Sequence, residues 1–364
     1  MNKSCLIGFL MCSAFSLVVQ AATDGAHITK TISQIERKKG IKRTIQYRPD
    51  GNDFVCVNGK NRYTRALYGG ITDFRIETSD RPVFATYKPK DSKHICFRLQ
   101  CGNQSIALDS LKFCEARYRA GRRTYRLTDP LLGKGELNIS VLAFPDAEGG
   151  IWRFTMKDMP EGALLHCYIS EIRAKNLSRN GDMGADRADS FDAPQLPKEQ
   201  KHYKLSLDGT TAYIVVEDQE LRLPALVEGT SLYDKSEKWR SEIESSLQIS
   251  TPDPYFNPLG GALAAAADGI WDGKIWLHGA IGWRSQLNGW RAAYIGDFIG
   301  WHDRARTHFD SYAASQVTDV PATIPHPTQD TALHLARSVK KWGTPHYSNG
   351  YICRTPCLLY TSPS

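Results

Sequence analysis

Between Ile41 and Val227 apolar and polar residues alternate in short runs, the period expected of half-buried β-strands. The segments Asp53–Val57, Pro82–Tyr87, His94–Leu99, Glu136–Phe144, Ile151–Met156, Leu164–Ile172 and Thr211–Val216 are rich in β-branched or aromatic residues. Gly, Asn, Asp or Pro separates them. Phe113 to Leu127 reads as a hairpin about Ala120-Gly121, with Cys114, Ala116 and Tyr118 on one side and Glu115, Arg117 and Arg119 on the other. No useful length of helical period interrupts this stretch. Many strands at short spacing predict an antiparallel β-sandwich over residues 22–232.

The period then changes. Tyr233 to Ser245 is charged and helix-compatible, and residues 233–250 are expected to form a helical linker. Pro258 to Ala267 reads as a helix whose Gly and Ala residues allow close approach of a neighbour. A single long helix is expected from about Gly289 to Val317, with Trp290, Tyr294, Phe298, Trp301, Ala305, Phe309 and Tyr312 as its apolar stripe. Asp297, Arg304 and His308 fall on an adjacent line. A further helix is expected from Thr331 to Trp342. The polar stretch Asn176 to Gln200 interrupts the strands as a long loop carrying Asp182, Asp186, Asp189 and Asp192. It has no EF-hand register, so no metal is expected there.

The N-terminus has the form of an export signal over residues 1–21: Lys3, an apolar run from Leu6 to Val19, and the small-residue cleavage pattern Val19-Gln20-Ala21. This predicts a periplasmic or secreted protein. The run is too short to span a bilayer, and no other stretch qualifies, so no membrane span is expected. At the other end, residues 355–364 have no helical period and do not continue the preceding pattern, so they read as a non-native tail.

Charge adds little to this picture. Removing the signal takes away Lys3 and no acid, which leaves 45 basic against 39 acidic residues, a net +6. Much of the excess is local, at Arg37-Lys38-Lys39, Lys42-Arg43 and then Arg117, Arg119, Arg122, Arg123 and Arg126. Such residues either favour an acidic glycan or are solvated strand and loop faces. With no recognition motif, nucleic acid is excluded as a partner. Of the nine cysteines, Cys5 and Cys12 leave with the signal, and no CxxC pair points to zinc. Cys96, Cys114 and Cys167 lie in strand-like runs and read as small buried apolar groups.

The chemistry concentrates between Trp271 and Trp301, where five of the chain's 8 tryptophans are interleaved with His278, Arg284, Asn288, Arg291 and Asp297. Flat rings stack on the apolar faces of sugars while polar groups reach the hydroxyls, so the mixture fits a carbohydrate site as well as a Trp-rich core. Trp276, Trp283 and Trp290 are the stacking candidates. His278, Arg284 and Arg291 are candidates for contacting hydroxyls or a uronate carboxylate, or else for tying the loop to backbone carbonyls. Asp272 and Asp297 are the candidate catalytic carboxylates, with Asp272 alternatively a turn residue and Asp297 alternatively a partner of Arg291 or Arg304. No cofactor motif is present, and no GxSxG, HExxH or dinucleotide pattern offers another chemistry.

The runs DPYFNPLGGALAAAADGIWD, from Asp253, and WLHGAIGWRSQLNGWRAAYIGDFIGWHDRARTHFDSYA, from Trp276, resemble the opening of a six-hairpin (α/α)6 glycosidase-type domain. The chain is similar to large exported proteins of gut polysaccharide-degrading bacteria that carry a leading β-sandwich. NGDMGAD in the long loop fits the same arrangement. The resemblance implies a mixed β and α fold: a sandwich followed, over residues 251–354, by the first part of an (α/α)6 toroid. It also implies a glycoside hydrolase acting on an oligo- or polysaccharide, with the acid and base carboxylates on later helices. Two other readings stay open. A polysaccharide lyase would use His278, Tyr294 and Arg291. A non-catalytic glycan-binding protein would use the aromatics alone.

Overall fold

The computed structural model describes residues 46–88, 91–174, 188–192, 202–277 and 290–314. Two antiparallel sheets account for most of them. The larger runs in the order β1 (Arg48–Asp50), β2 (Asp53–Val57), β8 (Phe113–Arg119), β9 (Arg122–Thr128), β10 (Glu136–Ala143), β11 (Gly149–Lys157), β14 (Thr211–Glu217), β15 (Glu220–Arg222). The smaller runs β13 (His202–Ser206), β12 (Leu164–Glu171), β6 (Lys93–Cys101), β5 (Phe84–Tyr87), β4 (Arg75–Thr78), β3 (Arg65–Tyr68), with β7 (Gln104–Ala107) also pairing β6.

One core joins the two sheets. Ile76, Phe84, Phe97 and Leu165 of the smaller sheet share it with Tyr125, Ile139, Trp152, Phe154 and Ile214 of the larger. Phe84 meets Tyr125 and Trp152 edge-on at centroid separations of 5.6 and 5.7 Å, the geometry that aromatic quadrupoles favour. The alternation read from the sequence is therefore the inward half of each sheet, as a β-sandwich requires. The hairpin about Ala120-Gly121 is present in the expected register, with Arg119 opposite Arg122 and both turn residues at positive φ.

Burial also selects residues that alternation does not flag. Arg123 and Asp80, both with fully buried side chains, lie 3.8 Å apart between the sheets, and Arg123 donates to the Ser79 carbonyl at 2.8 Å. Strand β4 is buried at all four positions, two of which are Arg75 and Glu77.

Among the described residues four α-helices follow: α1 (Leu226–Ser245), α2 (Leu259–Asp268), α3 (Trp290–Phe298) and α4 (His302–Ala314). Helix α1 begins seven residues before the expected start at Tyr233, with Ala225 between it and Pro224. It lies across the outer face of the larger sheet, where Tyr233 joins Leu142, Ile151, Tyr213 and Val215. The small residues of α2 are what let it approach α1: a Cβ on Gly261 would stand 2.8 Å from Glu244 Cγ, and one on Gly260 2.7 Å from the Leu247 carbonyl oxygen.

The single long helix expected from Gly289 to Val317 is in fact two. The break falls at Gly300, with φ at +88°, a conformation that disfavours other residues. Phe298 consequently does not join a continuous stripe and is 85% exposed. The Thr331–Trp342 helix, most of the Asn176–Gln200 loop, the signal segment and the C-terminal tail lie outside the described residues.

Candidate functional site

The helices meet the smaller sheet through a short connecting turn. Residues 270–277 double back: Leu277 N–H donates to the Ile270 carbonyl at 2.9 Å, and Trp271 and Trp276 face each other with ring centroids 4.6 Å apart. Asp272 makes the turn, its Oδ1 accepting from the N–H groups of Lys274 at 2.9 Å and Ile275 at 2.7 Å. Ile270 is the joint. It packs on Tyr63, Tyr87 and Phe191 at the sheet's outer face and on Trp276, Ala293 and Ala305 among the helices.

Trp276 does not present a stacking face. It is fully buried, its Nε1 donates to the Ala267 carbonyl at 3.0 Å, and its own N–H donates to His308 Nδ1 at 3.0 Å. Gly296 of α3 lies so close to the indole that a Cβ there would fall within the ring's van der Waals envelope. The ring is the core of the helical segment, because an indole with both its polar and apolar surface satisfied by protein gains nothing from solvent.

The two carboxylates singled out from the sequence are also engaged. Asp272 is the turn residue just described. Asp297 Oδ1 accepts from His302 Nδ1 at 2.8 Å, while Arg304 pairs with Asp268 instead. Trp290 and Arg291 are the first two residues of α3, and their side chains lie outside the described residues, as do His278, Trp283 and Arg284 entirely.

What the fold brings together instead is Asp268, Arg304, Trp271 and Trp301. Asp268 ends α2, and its Oδ1 accepts from Arg304 Nη1 of α4 at 2.7 Å. The Arg304 guanidinium lies 4.4 Å from the Trp301 ring centroid and 5.7 Å from that of Trp271, within cation–π range of both. Both indoles and Arg304 are half-buried, so each keeps some surface open to solvent. Burial pushes the Asp268 carboxyl above the usual carboxylate range, and the Arg304 charge pulls it part of the way back.

A second buried pair stands next to the first. Arg75 and Glu77 bond one another on β4, and the Arg75 guanidinium lies 4.9 Å from the Tyr87 ring centroid. Burial raises the Glu77 carboxyl and Arg75 opposes this, while Arg75 stays firmly protonated. Tyr68 connects the two pairs: it is hydrogen-bonded to Arg75, and it lines a cavity of about 60 Å3 together with Tyr118, Arg240 and Asp268. That volume admits a water or two and no sugar ring. A sugar contacting this junction would therefore meet the half-exposed Trp271, Trp301 and Arg304 from outside.

His308, fully buried beneath Trp276, accepts at Nδ1, so its neutral ring carries the proton on Nε2. Burial lowers its pKa to about 4. Its place is structural. Among the described residues no group of three or more His, Cys, Asp or Glu side chains is arranged to hold a metal ion.

Sequence reasoning missed the Asp268–Arg304 pair because its members are 36 positions apart, although Trp271 and Trp301, three residues from each, were visible in the aromatic cluster.

Residues 89–216 match a domain of unknown function, DUF4450. The match runs from β6 to β14 and covers less than half of the chain. Tyr68, Arg75, Glu77, Asp268, Trp271, Trp301 and Arg304 all lie outside it. No curated protein matches the chain.

Proposed function

We propose that this chain is part of an exported carbohydrate-active protein, a glycoside hydrolase acting on a complex polysaccharide, and that the junction of sandwich and helices contributes to its substrate surface. The observation that carries the reading is the Arg304 guanidinium held by Asp268 and set against two half-exposed indoles. An indole face offers a platform to the C–H face of a sugar, and a guanidinium fixed beside it donates to hydroxyls or a carboxylate. The order of elements, a two-sheet sandwich and then successive helices, supports the same reading through the resemblance to (α/α)6 toroid enzymes. On this reading α2, α3 and α4 belong to such a toroid.

Hydrolysis of a glycosidic bond needs one protonated and one ionised carboxyl. Among the junction's carboxyls, Asp268 is one that burial shifts towards the protonated form, against the opposing charge of Arg304. Asp272 and Asp297 are weaker candidates for the ionised carboxyl, each being occupied by a local partner. That occupation favours a second reading, in which the junction binds glycans without cleaving them.

Incubating the protein with a panel of plant and algal cell-wall polysaccharides separates these. New reducing ends without unsaturated products support the hydrolase. Ultraviolet-absorbing unsaturated uronates would replace it with a lyase. Retention of a glycan without either product supports binding alone, and failure to bind or cleave any of them overturns the carbohydrate reading.

A further inference from the structure

A wider cleft than the Tyr68 cavity lies away from this junction. It has a volume of about 540 Å3 and opens between the β1–β2 turn, the tip of the β8–β9 hairpin, the C-terminal end of α1 and the start of α2. This falls inside the range of about 300–1,000 Å3 typical of small-molecule sites. Its walls carry Arg119, Glu244, Asn52 and Gln248, with Leu247 and Ile249 supplying apolar surface.

The electrostatics of the cleft are uneven. Glu244 is gripped from two sides, by Arg119 Nε at 2.7 Å and by Arg240 Nη1 at 2.7 Å. Arg240 also bonds Glu237, which in turn accepts from Arg122. Three guanidinium groups thus face two carboxylates, leaving a net positive charge of one. The exposed end of that network is Arg119. Its Nε is used, its two terminal nitrogens make no hydrogen bond among the described residues, and its side chain is 37% exposed. The Asn52 and Gln248 side chains are exposed and likewise make no hydrogen bond among the described residues. Asn52 follows Gly51 in a two-residue turn with Gly51 at φ +58°, which sets this amide at the rim.

We propose that the cleft is a saccharide subsite in which the free edge of Arg119 holds the carboxylate of a hexuronate unit while the amides of Asn52 and Gln248 bond its hydroxyls. A planar guanidinium with two free nitrogens matches a carboxylate in two parallel hydrogen bonds. Leu247 and Ile249 face the C–H side of the ring. Glu244 does not repel the ligand, because both of its guanidinium partners neutralise it. The proposal rests on the carbohydrate reading above and adds a ligand class and a second location.

The test is calorimetric titration of the full chain with trigalacturonate and with its neutral, carboxyl-reduced counterpart, repeated on Arg119→Gln, Gln248→Ala and Trp301→Ala. Trigalacturonate is expected to bind at least about tenfold tighter than the neutral sugar. Arg119→Gln is expected to remove about tenfold of that affinity, as loss of a charge-assisted contact does. Gln248→Ala, on an exposed loop, is expected to weaken both sugars without altering the melting temperature. Trp301→Ala is expected to keep the Arg119-dependent preference for trigalacturonate over the neutral sugar. Equal binding of the two sugars, trigalacturonate affinity unchanged in Arg119→Gln, or no binding of trigalacturonate overturns the subsite. Saccharide binding that Trp301→Ala removes and Arg119→Gln does not would overturn the subsite and leave the carbohydrate reading standing.

Discussion

The Trp276 main-chain N–H donates to His308 Nδ1 across 3.0 Å, and the two rings lie 5.8 Å apart. One bond thereby ties the turn after α2 to the middle of α4 and fixes His308 as a neutral ring. The imidazole is an acceptor here, and a second proton at Nδ1 would remove the bond.

That arrangement predicts acid sensitivity. With its pKa lowered from 6.5 to about 4, His308 binds fewer protons folded than unfolded between those values. Its contribution to stability is intact above about pH 6.5 and is lost as the pH falls through the window towards 4. The shift corresponds to about 3 kcal/mol at full effect. Asp268, raised by burial, acts in the opposite sense, and His94 is lowered to about 4 like His308. The difference between wild type and His308→Gln isolates the one group. Urea melts at pH 7 and pH 5 should give a stability loss in the wild type that the variant shows to a clearly smaller extent.

Gly296→Ala sets two effects against each other. Helix propensity favours the alanine by about 1 kcal/mol. The added Cβ, however, meets the Trp276 ring, which is itself enclosed. Overpacking costs about 1–3 kcal/mol and wins. A lower denaturation midpoint with a blue-shifted or broadened tryptophan emission is the expected result.

Arg304→Met keeps the side-chain stem and removes the charge, leaving Asp268 buried beside no cation. Arg304 is 29% exposed, so solvent moderates the loss, and about 2 kcal/mol is expected. Adding Asp268→Asn should restore part of it. A double-mutant cycle by chemical denaturation measures the coupling, which should favour the native pair.

Much of the sandwich was legible in the sequence because β6, β8 and β12 alternate, and because β10, β11 and β14 are rich in β-branched and aromatic residues even where helix α1 buries their outer face as well. Strands β3 and β4 were not, since each has only four residues and β4 buries Arg75 and Glu77 where alternation expects apolar groups. The helical part was half legible. The aromatic spacing over Trp290 to Phe309 fits one helix as well as two, and only the backbone at Gly300 decides. Trp276 went to the core because α2, α3 and α4 all close on it, while Trp271 and Trp301 kept surface. Asp268 was hidden at the end of an alanine-rich helix, with its partner on another element.

The proposed saccharide surface sets the indoles around Arg304 against a sugar. Its most direct test is titration of the wild-type chain and of Trp271→Ala and Trp301→Ala with the cell-wall oligosaccharide that a panel identifies as a ligand. Loss of a stacked indole should weaken binding by about tenfold in at least one variant, while the melting temperature stays close to wild type. Affinity unchanged in both variants would contradict the account.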